Sequence, residues 1–268
     1  METRLKEVLA IVNHKGGVGK TTTVQNLAAA MKRCHKDWQI LVIDLDPQTH
    51  LSKLMGWNEQ ERKGEPTVYN AMLNVEGLPV YESSRGIFYV PSAPALQNID
   101  IALMQQIQPA MVLRSSFFKQ IDDHTGRGLT TIPECMDYVL IDCPPALSKT
   151  TCNAMAVASG LLVPCLLEGL SVDGLGKILL EMGRVKRELN QQLDLRGVLP
   201  VMVDLRSNIA KGILADLQKM FGTSLCTTRI PREVKMNEAT TKKLDIYQWK
   251  PYSKVGIAYE QLCEELFN

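Results

Sequence analysis

Short apolar runs rich in Val, Ile and Leu recur along the chain, at Val8–Asn13, Ile40–Leu45, Ile87–Pro91, Tyr138–Cys143, Gly160–Leu166 and Gly197–Val203. Each is bounded by turn residues, and amphipathic helical stretches separate several of them, the first running from Lys20 to about Arg33. Runs of this kind suit strands buried on both faces of a parallel sheet. Strand–helix alternation predicts an α/β fold, a doubly wound, mostly parallel sheet flanked by helices and joined by right-handed crossovers. Ligands of such sheets bind beyond the carboxyl ends of the strands. The segment 57–85 is the least periodic and reads as peripheral loops with short helices. No linker, charge block or repeat divides the chain, so residues 1–268 are expected to form one domain.

Composition narrows the function classes. No apolar run approaches the roughly 18–20 residues needed to cross a bilayer. The N-terminal Met1–Glu7 is charged and leads directly into the first strand, which gives no sign of a secretory signal and points to the cytoplasm. Seven cysteines, at 34, 135, 143, 152, 165, 226 and 263, are scattered without a CxxC pair or a Cys/His cluster. That spacing argues against a disulfide framework or a zinc site. Most lie in apolar stretches, where Cys serves as a small hydrophobe.

The segment Lys15-Gly16-Gly17-Val18-Gly19-Lys20-Thr21 sits between the first strand and the first helix. Glycines there let the backbone fold around phosphate oxygens and present N–H groups to them. The helix adds the positive end of its dipole. Lys20 is placed to reach the β- and γ-phosphates, the Thr21 hydroxyl to ligate Mg2+, and Thr22 to donate to the α-phosphate. An ordinary Walker A loop, GxxxxGK followed by Ser or Thr, requires Gly at position 14, and this chain has His14. It carries a second lysine, Lys15, ahead of the glycines instead.

This KGGxGKT form resembles the deviant Walker A loop of the ParA/MinD class of P-loop ATPases, also called SIMIBI proteins. The resemblance implies ATP with Mg2+ as cofactors and a homodimer formed on ATP. In that dimer Lys15 crosses the interface to the phosphates bound by the partner subunit. Two facing nucleotides would repel, and a lysine from each side offsets that charge. The family usually has Gln or Asn where His14 stands.

Two further strand ends carry carboxylates. In Ile43-Asp44-Leu45-Asp46-Pro47-Gln48 two acids fall on the same side of an extended segment, so one can join the magnesium shell while the other positions or deprotonates water. The resemblance makes this DxDPQ segment a switch, with hydrolysis depending on Asp46 and Asp44 lying near the metal. Tyr138-Val139-Leu140-Ile141-Asp142-Cys143-Pro144-Pro145 has the Walker B form, and Asp142 is expected to hold magnesium through water.

Thr228-Arg229-Ile230-Pro231-Arg232-Glu233-Val234, Asn237-Glu238-Ala239 and Tyr247 to Tyr259 are similar to the IPR…EA region of short ParA-type partition ATPases, and the likeness spans Val8 to Phe267. It implies that Met202 and Pro231 flank the adenine. Lys242-Lys243-Leu244-Asp245-Ile246-Tyr247 lacks the Gly-x-Pro turn usual there. From Arg206 to Lys254 ten residues are basic and four acidic, a net of plus six. A basic surface suits non-specific DNA, and Arg206 and Lys235 match DNA-binding positions of the family. The implied function is an ATPase that dimerises on ATP, coats the nucleoid, and releases it when a ParB-like centromere-binding partner stimulates hydrolysis in plasmid or chromosome partition. With the P-loop strand so near Met1, no helix-turn-helix domain is expected ahead of it.

Two other classes share the fold. A MinD-like membrane organiser requires a basic amphipathic C-terminal helix, whereas Tyr259–Phe267 is acidic, so no membrane partner is expected. An iron–sulfur carrier requires cysteines at the dimer interface, and Cys143 and Cys152 follow no cluster pattern.

Overall fold

A computed structural model describes residues 3–168 and 171–268. In chain order the elements are β1 (Glu7–Ile11), α1 (Lys20–Cys34), β2 (Ile40–Asp44), α2 (His50–Leu54), α3 (Val68–Asn74), β3 (Pro79–Glu82), β4 (Phe88–Val90), α4 (Ile99–Leu103), α5 (Val112–Phe117), β5 (Asp122–Asp123), α6 (Ile132–Cys135) and β6 (Tyr138–Asp142). They continue with α7 (Lys149–Val157), β7 (Gly160–Leu166), α8 (Ser171–Glu188), β8 (Asp194–Val201), α9 (Asn208–Phe221), α10 (Val234–Thr241), α11 (Ile246–Trp249) and α12 (Lys254–Phe267).

The strands form one sheet in the order β5-β3-β4-β2-β6-β1-β7-β8. The five strands from β2 to β8 are parallel to their neighbours, and β4 is parallel to β2. All six apolar runs of the sequence are strands, so the doubly wound, mostly parallel architecture is the one observed. Two strands were not legible. β3 lies in the stretch read as loops and short helices, and pairs antiparallel to β4. β5 is two residues long and pairs with β3. Strands this short at a sheet edge carry too few residues to show an alternation. The run read as Gly197–Val203 begins earlier, at Asp194, because exposed Asp194 and half-buried Leu195 pair with Gly160 and Leu161 while breaking the apolar pattern.

Period-two alternation divides the buried side chains between two cores. Val8, Ala10, Leu41, Ile43, Val139 and Ile141 face one layer, which α3, α5, α7, α8 and α9 cover. Leu9, Ile11, Ile40, Val42, Tyr138 and Leu140 face the other, covered by α1 and α12 with α2, α10 and α11 at its margin. α1 is buried from Thr23 to Met31, and Val24, Leu27, Ala28 and Met31 pack beneath Tyr259 and Leu262 of α12. The helix that begins at the Gly-rich loop is thus one of the most enclosed in the molecule.

Buried amides tie the outer helices down. Asn153 of α7 is fully buried; its Oδ1 accepts from Leu113 N (2.9 Å), and its Nδ2 donates to Pro109 O (2.7 Å) and Lys149 O (3.0 Å). Asn153→Ala strands those groups, and an unsatisfied buried polar group costs about 1–3 kcal/mol. Urea denaturation of the variant is expected to show a loss of about 2–3 kcal/mol, against under about 0.5 for an exposed polar site.

Candidate nucleotide site

The loop between β1 and α1 is fixed from beneath by Asn13. This residue is buried, donates from Nδ2 to Pro164 O (2.7 Å) on β7, and accepts from Lys15 N (2.9 Å) through Oδ1. Gly17 and Gly19 have φ of +73° and +78°, a region costly for any residue with a Cβ. Among the described residues no heavy atom lies within 4 Å of where a Cβ would stand on Gly16 or Gly17, so the loop is open on that side. Val18 anchors it by burial. α1 has no side-chain cap at Gly19 and no acid in its first turn. Its first N–H groups are left to an anion.

Lys20 is 7% exposed, and its Nζ donates to Lys15 O (3.2 Å), folding the side chain back over the loop. Burial pushes its pKa down, while Asp142 and, more weakly, Asp46 push it up. Asp142 ends β6 directly beside Asp44 at the end of β2, and the same residue pairs with Ile11 of β1. Both carboxylates are buried. Desolvation lifts the Asp142 pKa well above the ordinary range, and the charge of Asp44 adds to it. Neither oxygen of Asp142 has a hydrogen-bond partner among the described residues, although the nearby Thr21 hydroxyl pulls its pKa down. A buried carboxylate without partners suits a cation or its water shell. With the open glycine cradle and bare helix end, these residues fit ATP and Mg2+.

Asp44 is differently placed. Its Oδ1 accepts from Asp46 N (3.0 Å), and its Oδ2 accepts from Ser52 N (2.8 Å) and Ser52 Oγ (2.6 Å). Desolvation raises its pKa to about 6 against those hydrogen bonds. The side chain expected near the metal therefore spends its oxygens on anchoring α2 and the turn that carries Asp46. Asp46 is nearly buried; its Oδ1 accepts from Gln48 N (2.9 Å), and its carbonyl accepts from Thr49 N and the Ser92 hydroxyl.

Lys15 turns toward its own chain, with Nζ 3.1 Å from Glu168 Oε2 just beyond β7. His14 points the other way, against α8. A Cβ on Gly174 would stand 1.8 Å from His14 Cε1, so the imidazole occupies the space that only glycine leaves. Its Nδ1 is buried without a partner among the described residues.

Thr22, Met202 and Pro231 line a separate cavity of about 270 Å3 with Gly19, Thr23 and Tyr259. Its walls are the first turn of α1, the end of β8 and the loop after Ile230, a slot beside the phosphate loop of a size for a planar base. Met202 has φ of +52°, which turns its side chain toward Gly19. Arg206 and Lys235 lie outside this slot. Arg206 is 92% exposed and forks onto Asp204 (2.5 and 2.8 Å), an acid just before the basic stretch counted in the sequence. Lys235 pairs with Glu238 at 3.3 Å. Cys143 is buried under the site with Sγ toward Ile141 O, while Cys152 on α7 donates to Glu181, so the two cysteines serve different packing contacts.

Asn13, Ser52, Glu168, Gly174 and Tyr259 were not anticipated. Ser52 stands eight residues from Asp44 and Glu168 far from Lys15 in sequence, with no spacing rule joining either pair.

Comparison with known proteins identifies the family. A family model described as an AAA domain matches residues 6–195. The chromosome partitioning protein ParA of Caulobacter vibrioides is 34% identical over 97% of this chain and 94% of its own. The sporulation initiation inhibitor protein Soj of Bacillus subtilis is 29% identical over 97% of this chain and 98% of its own. Among solved structures, cobyrinic acid a,c-diamide synthase of Mycobacterium smegmatis with bound ADP and magnesium superposes with a TM-score of 0.78 at 27% identity, covering 97% and 93% of the two chains. The fold and site define a P-loop ATPase of the deviant Walker type, with ATP and Mg2+ as its cofactors. The chain belongs to the ParA/Soj family.

The His14–Gly174 contact gives a test. Gly174→Ala drives a methyl into the imidazole and is expected to cost about 1–3 kcal/mol. His14→Ala in the same chain should recover most of that, a coupling readable in a double-mutant cycle by urea denaturation.

Proposed function

We propose that this ATPase forms an ATP-dependent dimer that binds DNA without sequence preference and positions a DNA cargo with a ParB-like partner. The observation that supports the reading is the loop Thr228–Val234, which borders the base slot and also carries exposed arginines. Pro231 and Ile230 line the base slot, while Arg229 and Arg232 on the same loop are exposed. Backbone bonds Val203 N to Ile230 O (2.9 Å) and Arg232 N to Val203 O (3.1 Å) lace the loop to the segment that leads to Arg206. Arg206, Arg229 and Arg232 therefore stand on two adjoining loops whose inner surfaces face the nucleotide. A duplex bound through phosphates needs such a cluster and no base contact.

Within each subunit, Lys20 and the loop N–H groups hold the phosphates, and Thr21 and Asp142 hold magnesium, which offsets phosphate charge when bound. Asp46 orients and deprotonates the attacking water. Asp44 acts through Ser52 and Asp46 N to hold that switch segment in place. Lys15 leaves Glu168 to reach the partner subunit's nucleotide, an exchange that costs little because exposed ion pairs contribute about 0–1 kcal/mol. The MinD-like reading has less support. α12 buries Val255, Ala258, Tyr259, Leu262, Cys263 and Leu266 in the core, and Glu265 is engaged by Thr227 N and Thr228 N. Its apolar face is not free for a lipid surface. Among the described residues no helix is long and apolar enough to cross a membrane.

Lys20→Ala is expected to abolish ATP binding in equilibrium dialysis. Asp46→Ala should retain ATP and accumulate as a dimer by light scattering, with hydrolysis reduced by at least about a hundredfold, the scale of a lost general base. A monomeric Asp46→Ala protein at saturating ATP would contradict the role of Asp46 in the hydrolysis that ends the dimer state. Arg206→Ala and Lys235→Ala should weaken DNA co-sedimentation while dimerisation persists. Removing one phosphate contact should lower the salt slope by about one per contact.

A further inference from the structure

A cleft of about 680 Å3 shares no lining residue with the phosphate loop or the base slot. It lies on the α1 face, where α1, α2 with the loop after it, the β3–β4 turn and the α10–α11 loop converge. Its volume falls in the ~300–1,000 Å3 range of ligand sites.

Three features of its wall stand out. Gln25 of α1 is 2% exposed, lines the cleft, and its Oε1 is buried without a hydrogen-bond partner among the described residues. A buried amide oxygen of this kind calls for an incoming N–H donor. Lys243, also on the wall, adopts φ of +57° just after α10, a conformation that glycine holds without strain. This is the stretch where the sequence lacks the expected Gly-x-Pro turn. A lysine held in a costly backbone conformation beside a cleft marks a side chain worth testing for function. Lys53 of α2 adds a second exposed cation. Of the two acids on the wall, Asp245 is already taken by Arg85 and by the N–H groups of Tyr247 and Gln248, leaving Glu59.

We propose that this cleft docks a short acidic peptide segment of a partner protein, Gln25 pairing with a peptide group and Lys53 and Lys243 with its carboxylates. A peptide supplies a backbone N–H donor at every residue, whereas a phosphodiester backbone supplies none, and the free carboxylate of Glu59 disfavours a polyanion of higher charge. Lys53 lies one residue from Ser52, which holds Asp44, so the bound segment rests on the helix that follows the DxDPQ turn.

The test uses the full chain and a fluorescent, end-blocked Glu-Ala-Glu-Ala-Glu peptide at low salt, against its Gln-Ala-Gln-Ala-Gln counterpart. Saturable anisotropy is expected for the acidic peptide, with affinity lower by about fivefold in Lys53→Ala or Lys243→Gly, the scale of one exposed ion pair. Gln25→Leu should weaken it by about tenfold or more, the scale of a lost buried hydrogen bond. Thermal melts separate this from misfolding, because Lys243→Gly relieves backbone strain and Gln25→Leu removes an unsatisfied polar atom, so both variants should melt no lower than wild type. Equal binding of the two peptides, no binding below the millimolar range, or unchanged affinity in Gln25→Leu would overturn the proposal. So would an oligothymidylate probe that binds more tightly than the peptide and loses affinity in the same variants.

Discussion

The register of three parallel strands is the constraint from which the site follows. Asp44 of β2 pairs with Asp142 of β6, and Asp142 pairs with Ile11 of β1, so two acids end adjacent strands level with the start of the phosphate loop. A slip of one residue would turn every side chain of a strand to the opposite face. The alternating cores above and below the sheet forbid such a slip. Packing therefore supports an arrangement that electrostatics opposes, since burial raises the proton affinity of both carboxylates, and the charge of Asp44 raises that of Asp142 further. Lys20 partly offsets that charge, and the orphaned oxygens of Asp142 suit a divalent cation.

Around this centre, each neighbouring element has a distinct task. Asn13 holds the loop to β7, Ser52 converts Asp44 into a clamp on the switch segment, and Gly174 makes room for His14. The loop at Pro231 spans from the base slot to an exposed arginine cluster. In the proposed function that shared loop is the physical link between the nucleotide state and DNA, since reshaping one wall displaces the other. In the same proposal Asp204, which pairs with Arg206, must yield it to a DNA phosphate.

Much of this was legible in the sequence for a definite reason. Strands buried on both faces, such as Tyr138–Asp142, are continuous apolar runs, and a Gly-rich loop between strand and helix has few other uses. What could not be read were contacts between distant segments. Lys15 and Glu168 lie 153 residues apart, and Asp44 reaches Ser52 across a turn whose geometry no motif encodes. A charge count that begins at Arg206 leaves out Asp204, two residues earlier, with which Arg206 pairs. β3 and β5 are not legible because strands of four and two residues leave no periodic signal. The missing Gly-x-Pro was visible as an anomaly, but only the fold shows Lys243 and Asp245 on the wall of a cleft.

The most direct test is a mobility-shift titration of arbitrary duplex DNA with wild-type protein in ATP, in ADP and without nucleotide, repeated over a range of salt. The expected result is retention in ATP alone, independent of duplex sequence and falling steeply as salt rises, because phosphate contacts release counterions. Retention that is equal in all three nucleotide states, or unaffected by salt, would contradict the coupling of nucleotide to DNA through the Pro231 loop.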